Sequence, residues 1–157
     1  MAVYGKLTLE TKGQIMQFDI DYAQCSLSGS DPIAFSIDLD TIKKSVDIEE
    51  GFNRVVGASV YIVKYYKCVS NIHECIREFD SSDGECVFSF LDHEELYEVT
   101  FRNFEVDGET VHIELQGKTV NVVSTDPTEF TIVTVQAKAH LNVNLPEVLL
   151  KDKNFMS

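Results

Sequence analysis

Four side chains near the middle of the chain have the chemistry of zinc ligands. Thiolates and imidazoles bind zinc in tetrahedral sites, and the set here consists of Cys68, His73, Cys75 and Cys86. Its spacing, Cys-x4-His-x-Cys-x10-Cys, lacks the Cys-x2-Cys pair of structural zinc sites. Cys86 also alternates with Phe88, which is typical of a core position in a strand, where free cysteine is common. The sequence therefore predicts no metal site here, and it indicates no other cofactor.

The carboxylates between Asp80 and Glu85 have the composition of a calcium-binding loop. An EF-hand loop needs glycine at its sixth position and glutamate at its twelfth. Counted from Asp80, Gly84 takes the fifth position and Leu91 the twelfth. We therefore interpret the run as a turn whose carboxylates are hydrated.

The chain contains none of the short motifs that mark common enzyme active sites. It has no Gly-x-Ser-x-Gly elbow, no glycine-rich phosphate loop and no His-Glu-x-x-His sequence. The four histidines lie at predicted surface positions or beside acidic residues, and no local signature pairs one with a cysteine nucleophile. We therefore expect a protein that is not an enzyme.

The charge balance excludes two large classes of partner. The chain has 13 Lys and Arg residues against 26 Asp and Glu residues, a net charge of −13. Nucleic acids and anionic membranes both require basic side chains, so neither is an expected partner. No apolar run reaches the roughly 20 residues of a transmembrane helix, and the sequence opens without an apolar signal segment. We expect a cytoplasmic protein with reduced cysteines.

The acidic side chains are concentrated in one window, residues 78–114. This window holds twelve acidic residues and a single basic one, Arg102, whereas the rest of the chain is nearly balanced. Like charges that face each other destabilise a sheet, so their retention indicates selection for a cationic partner. The predicted partner-binding residues are Asp80, Asp83, Glu85, Asp92, Glu94, Glu95, Glu98, Glu105, Asp107, Glu109 and Glu114. The alternative is that outward charges keep strand edges soluble.

Alternation of apolar and polar residues with period two predicts strands throughout the chain. It is clear in the ranges 16–22, 33–39 and 131–145, the last being long enough to bend or to pass between two sheets. The range 55–66 is apolar at both odd and even positions, which predicts a central strand covered on both faces.

The acidic window contains a predicted hairpin. A two-residue type I′ turn at Asp107-Gly108 would set Phe104 opposite Val111. The apolar residues change from odd to even positions at Arg102, so we expect a β-bulge there that brings Phe101 near Ile113. In this register Glu105, His112 and Glu114 face outward, and Glu98 joins them.

Helix is expected only in short pieces. Asn71 to Phe79 has helical spacing of its apolar residues, and Asp92 to Glu95 resembles a capping box that could begin one turn. The predicted fold is therefore all-β, a two-sheet antiparallel sandwich or a flattened barrel with one or two short helices. We expect one domain over residues 1–150 and a frayed tail over 151–157.

Three functions fit these features. The first is an inhibitor or immunity-type protein that neutralises a basic partner, such as a nuclease toxin domain, through the acidic 78–114 surface. The second is a structural subunit that self-assembles, as in a phage tail or a secretion tube, because the last strand is long and strand edges are many. The third is a small-ligand-binding β-barrel with a cavity lined by Phe and Tyr.

Overall fold

The computed structural model describes residues 2–11, 14–29, 32–49, 52–66, 84–120 and 130–146. Throughout these ranges the regular secondary structure is β-strand, which confirms the predicted all-β class. The strands are β1 (Gly5–Thr11), β2 (Gln14–Ser28), β3 (Ile33–Thr41), β4 (Lys44–Glu49), β5 (Phe52–Val56), β6 (Ser59–Tyr66), β7 (Glu85–Ser89), β8 (His93–Glu95), β9 (Tyr97–Asp107), β10 (Thr110–Val120) and β11 (Phe130–Asn144). Nothing in the described ranges forms a helix with the length and apolar character needed to cross a membrane.

Nine of the strands form one strongly curled sheet, a half-barrel. The strand order is β8-β7-β6-β3-β2-β1-β11-β10-β9, and β4 pairs with β5 in a small second sheet. Neighbours in this order are antiparallel, while an additional contact between β2 and β11 is parallel. The long strand β11 stays within the one sheet and changes its partner from β1 to β2.

The apolar side of the alternating pattern forms a core on the inner face of the sheet, as predicted. Phe18 packs edge-to-face on Phe90, with ring centroids 5.8 Å apart. Phe35 meets Phe104 in the same way at 6.1 Å. Val46 and Val56 of the small sheet join the same buried cluster. Burial of this apolar area is the main force that closes the sheet on itself.

Strand β1 is a wedge between β2 and β11. Past the first residue of β1, strands β2 and β11 pair directly with each other, with Gln24 opposite His140. Gly5 lies at the point where β2 and β11 separate to admit β1. Its φ is 150°, and a Cβ there would collide with the carbonyl oxygen of Gln136. Only glycine allows the two backbones to approach this closely.

A β-bulge in β2 reverses the face to which its side chains point. Asp21 is the extra residue, because Ile20 lies opposite Thr41 and Tyr22 opposite Asp40. The buried positions of β2 therefore change from even to odd numbers after Asp21. The sequence pattern predicts Tyr22 on the core side, whereas Tyr22 is 42% exposed.

The predicted bulge in β9 is confirmed at Arg102. The pairing with β10 shifts by one residue between Phe101 and Asn103. Phe101 lies opposite Leu115, two positions beyond the predicted Ile113. The bulge is needed because the apolar residues on either side of Arg102 have opposite parity.

The hairpin turn is displaced by one residue from its predicted place. Asp107 pairs with Thr110, so Gly108 is the first of the two turn residues. Gly108 has a φ of 62°, and glycine in this position is typical of a type II′ turn. As a result Phe104 lies opposite Ile113 and not opposite the predicted Val111.

Two other expectations are wrong, and two lie outside the described residues. The range from Asp92 to Glu95 forms no helical turn, because residues 93–95 form strand β8, which pairs with β7, and Asp92 precedes it in the connection. Strand β6 is central but is not covered on both faces, since Tyr61 and Tyr65 are 42% and 64% exposed. The predicted helix at 71–79 and the predicted tail at 151–157 fall outside the described ranges.

Candidate functional site

A single residue, Leu96, joins the two ends of the large sheet. Its amide donates a hydrogen bond of 3.0 Å to the carbonyl oxygen of Cys86 on β7. On the other side, the hydroxyl of Thr119 on β10 donates to the carbonyl oxygen of Glu95 at 3.0 Å. Because β8 ends at Glu95 and β9 begins at Tyr97, the chain passes directly from one edge of the sheet to the other.

This junction brings the predicted binding residues into one band. Glu85, Asp92, Glu94 and Glu95 belong to strands β7 and β8 and to the connection between them. Glu98, Glu105, Asp107, Glu109 and Glu114 belong to the β9–β10 hairpin on the other side of Leu96. We call these nine residues the acidic band. Asp80 and Asp83 lie outside the described residues.

Most side chains of the acidic band point away from the core, whereas Glu94 lies opposite the buried Phe88 of β7 and so on the core side of the sheet. Glu94 and Glu114 are half-buried and the other seven are exposed. Glu105 lies opposite His112, as expected for two outward positions, and Lys138 of β11 lies on the other side of His112. From Glu98 to Asp107 the band runs roughly 25 Å along β9, because two register shifts shorten a strand that otherwise rises about 3.3 Å per residue.

Few cations neutralise the acidic band. Lys118 forms an ion pair with Glu98, with Nζ 3.1 Å from Oε2. Arg102, the basic residue of the predicted window, donates to the side-chain oxygen of Gln116 and not to a carboxylate. Within the described part of the chain, Glu98 is the only member of the band that has an ion pair. The geometry thus leaves most of the band's negative charge available to a partner.

Negative potential is strong around the Leu96 junction. The nearby carboxylate of Glu95 is the largest cause of a raised pKa at Tyr97, followed by partial burial, a hydrogen bond to Glu95 and the charge of Glu94. Burial raises the pKa of the Cys86 thiol to about 11, with smaller contributions from Glu95 and Glu85. Both groups resist acquiring a negative charge beside the band.

A shallow depression lies beside the band on the outer face of the sheet. It has a volume of about 360 Å³, and its lining includes Tyr4, Asn103, Glu105, His112, Glu114 and Gln136. Two carboxylates and an aromatic ring therefore border one open space. This composition suits a lysine or arginine side chain, whose stem can lie along the ring while its charge meets the carboxylates.

Ser89 and His93 are the nearest approach to a catalytic pair in the described residues. Ser89 Oγ lies 2.6 Å from His93 Nδ1, but His93 is exposed. The carboxylate of Asp92 accepts from the backbone amide of His93 and does not orient its ring. A catalytic triad needs a carboxylate on the second ring nitrogen, so this arrangement is not one.

Metal binding finds no support in the described ranges. No group of three His, Cys, Asp or Glu side chains in these ranges is arranged to hold an ion. Cys86 is buried in the core, as its alternation with Phe88 predicts. The other three residues of the candidate zinc set, Cys68, His73 and Cys75, lie outside the described residues.

A second polar surface, which the sequence pattern does not predict, lies on the outer face of β2, β3 and β6. It combines exposed tyrosines with carboxylates: Tyr22, Asp38, Asp40, Tyr61 and Tyr65. Asp38 lies opposite Tyr61 and Asp40 lies opposite Tyr22. The sequence pattern does not indicate this surface for two reasons. The bulge at Asp21 changes the face on which Tyr22 lies, and the apolar residues of β6 predict burial on both faces.

Comparisons of the chain with protein-family models, with curated proteins and with solved structures each find no match. The surfaces described above are therefore the basis for a functional proposal.

Proposed function

We propose that this protein is a non-catalytic binding protein that neutralises a basic partner through its acidic band. An immunity-type protein that blocks a nuclease toxin domain in the cytoplasm is the concrete example. The observation that carries the proposal is the outward-facing row of carboxylates, of which only Glu98 has an ion pair among the described residues. A protein that binds nucleic acid presents basic side chains, and an acidic surface is complementary to them.

The dimensions of the band support this role. A protein–protein interface of standard size buries about 800 Å² on each partner, which corresponds to a patch roughly 30 Å across. The β9 side of the band is nearly this long, and strands β7 and β8 extend it past Leu96. Because most of the carboxylates stand on paired strands, the backbone that carries them is already ordered, so binding loses less conformational entropy than it would on a flexible segment.

The depression beside the band offers one anchoring position. Glu105 and Glu114 border it together with Tyr4. We expect a basic side chain of the partner to enter this space. Residues of this kind, which lie at the centre of an interface and lose their contact with water, contribute most of the binding energy.

The test compares two matched charge reversals. Glu105→Lys changes the band, whereas Glu10→Lys changes an exposed carboxylate of β1 outside it. Partners are captured from a lysate of the source cells on the immobilised protein, eluted with a salt gradient and identified, and each purified candidate is then titrated against both variants. We expect to capture one basic protein whose association rate falls as the salt concentration rises. Glu105→Lys should lower that rate, and Glu10→Lys should leave it unchanged. Equal binding by the two variants would contradict the proposal.

Self-assembly into a tube or ring is the competing function, and the same strands disfavour it. Strand β9 is an edge strand of the described sheet, and edge strands can pair with another copy. It carries Glu98, Glu105 and Asp107 and is interrupted by a bulge at Arg102. In an antiparallel pairing of two copies these charges would repel. Light scattering at micromolar concentration distinguishes a monomer from an assembly.

A further inference from the structure

The outer face of β2, β3 and β6 presents aromatic rings and carboxylates side by side. We call it the tyrosine–aspartate face and define it as Tyr22, Asp38, Asp40, Tyr61 and Tyr65. The three tyrosines are 42%, 42% and 64% exposed in the order Tyr22, Tyr61, Tyr65. Exposed tyrosine is enriched in protein interfaces, because its ring buries a large area and few rotamers are lost.

Strand pairing places each carboxylate of the face beside a ring. Asp38 of β3 lies opposite Tyr61 of β6, and Asp40 lies opposite Tyr22 of β2. Opposite residues on neighbouring strands have Cβ atoms about 5 Å apart, so a single planar cation can meet a ring and a carboxylate together. Tyr22 is further held by its hydroxyl, which donates a 2.5 Å hydrogen bond to Gln24.

The carboxylates of the face form no ion pair in the described structure, although Lys43 lines the same depression as Tyr22 and Asp40. Neither Asp38 nor Asp40 has an ion pair or a hydrogen bond among the described residues. Partial burial, followed by the charge of Asp40, raises the pKa of Asp38. Partial burial, followed by the charge of Asp21, raises the pKa of Asp40. A cation placed between them would relieve both effects.

We propose that the tyrosine–aspartate face is a docking surface for arginine side chains of a partner polypeptide. The guanidinium group is planar, stacks on aromatic rings and donates two parallel hydrogen bonds to a carboxylate. Lysine offers only a compact, strongly hydrated charge, so the face should discriminate between the two. Residues between the tyrosines are small or buried, such as Ser36 and Val63, which leaves room for an extended chain across the strands.

This inference does not rest on the proposed function. The face occupies β2, β3 and β6, whereas the acidic band occupies β7 to β10. The two surfaces adjoin, because Tyr61 lies opposite Val87 and Val87 lies opposite Glu95. One partner with arginines at one end and general positive charge along its length would therefore cover both.

The test uses two synthetic probes, a labelled nona-arginine peptide and a nona-lysine peptide of the same length. Fluorescence anisotropy titrations measure their affinity for the full chain and for a Tyr61→Ala/Tyr65→Ala variant. We expect the full chain to bind the arginine peptide on the order of tenfold more tightly than the lysine peptide. The double variant should lose most of this preference. Tyr97→Ala, which removes an exposed tyrosine outside the face, should keep it.

Carboxylate variants separate the two proposals. Asp40→Asn should weaken binding of the arginine peptide. Glu10→Gln, which also removes one exposed carboxylate, should leave that binding unchanged. Circular dichroism spectra confirm that each variant is folded. If arginine and lysine peptides bind equally, or if the double tyrosine variant binds like the full chain, the inference is wrong. If Glu105→Lys alone removes peptide binding, the acidic band is the site and the proposed function survives without the face.

Discussion

The side chain of Leu96 lies directly against Gly117 of strand β10. A Cβ atom at Gly117 would stand 2.9 Å from Leu96 Cδ1 and 3.2 Å from the carbonyl oxygen of Tyr97. Leu96 is 1% exposed, and it is the residue that joins the two ends of the large sheet. The absence of a side chain at Gly117 is therefore what allows the two edges to meet there.

Gly117→Ala should lower the free energy of unfolding by about 1–3 kcal/mol, because the new methyl group overpacks the junction. Leu96→Ala should cost about 2–5 kcal/mol through lost burial. In the double variant the methyl group has room, so the combined cost should be smaller than the sum of the two single costs. Urea unfolding of the four proteins measures this coupling.

Gly108→Ala is the control for that cycle. Gly108 has a φ of 62°, and a Cβ atom added there would have no atom within 4 Å, so alanine costs about 1 kcal/mol of backbone strain alone. It should show no coupling to Leu96→Ala. Additive costs for Gly117→Ala and Leu96→Ala would mean that the contact does not govern the junction.

Gly5→Ala should be more damaging than a usual surface change in a strand. A Cβ there would collide with the carbonyl oxygen of Gln136 and lie 2.8 Å from Cα of Ala137, and the φ of 150° disfavours any side chain. We expect a loss of roughly 3 kcal/mol, because β1 must move away from β11. Thermal unfolding measures it. An exposed neighbour, Lys6→Ala, should cost less than about 1 kcal/mol.

Cys86 should make the protein lose stability in alkaline solution. Its folded pKa is raised from the ordinary value of 9.0 to about 11, so its stabilising contribution is complete below pH 9 and is lost as the pH rises towards 11. The loss is on the order of 2 kcal/mol. Cys86→Ala lacks this dependence, so the stability gap between the two proteins should narrow from about pH 8 to about pH 10.5. A constant gap would show that the thiol is not the cause.

Asp40→Asn should stabilise the folded chain slightly at neutral pH. Partial burial and the neighbouring Asp21 raise the pKa of Asp40, so its charged form is disfavoured in the folded state. Because the group is largely hydrated, we expect a gain of only a few tenths of a kcal/mol. The gain should vanish below the ordinary pKa of 3.8, where the carboxyl is neutral in both states. Unfolding measured at about pH 7 and at about pH 3 tests this, with Glu10→Gln as the control.

Local pattern in the sequence was sufficient for most of the strands and for one bulge, but not for β8. The alternation at 33–39 and 131–145 predicts the buried sides of β3 and β11, and the change of parity at Arg102 predicts the bulge in β9. The turn was misplaced because Asp-Gly favours a type I′ turn, whereas here pairing of Val106 with Val111 outweighs that preference. The bulge at Asp21 was missed because Tyr22 continues the apolar pattern across it.

The candidate surfaces depend on contacts that a linear pattern does not contain. The acidic band was predicted from composition, but the junction at Leu96 that unites its two halves depends on the shape of Gly117, far along the chain. The tyrosine–aspartate face depends on three strands that are not all adjacent in sequence. Tyrosine is also ambiguous, since its ring fits a core and its hydroxyl fits a surface.

The parallel contact between β2 and β11 also has a consequence for how fast the chain folds. Gln24 and His140 are paired although they are 116 positions apart (140 − 24). Closing so large a loop is entropically costly, and topologies rich in such contacts fold in milliseconds to seconds. During synthesis β1 can pair with β2, and β2 with β3, but the edges of β1 and β2 that pair with β11 stay open until β11 has been made.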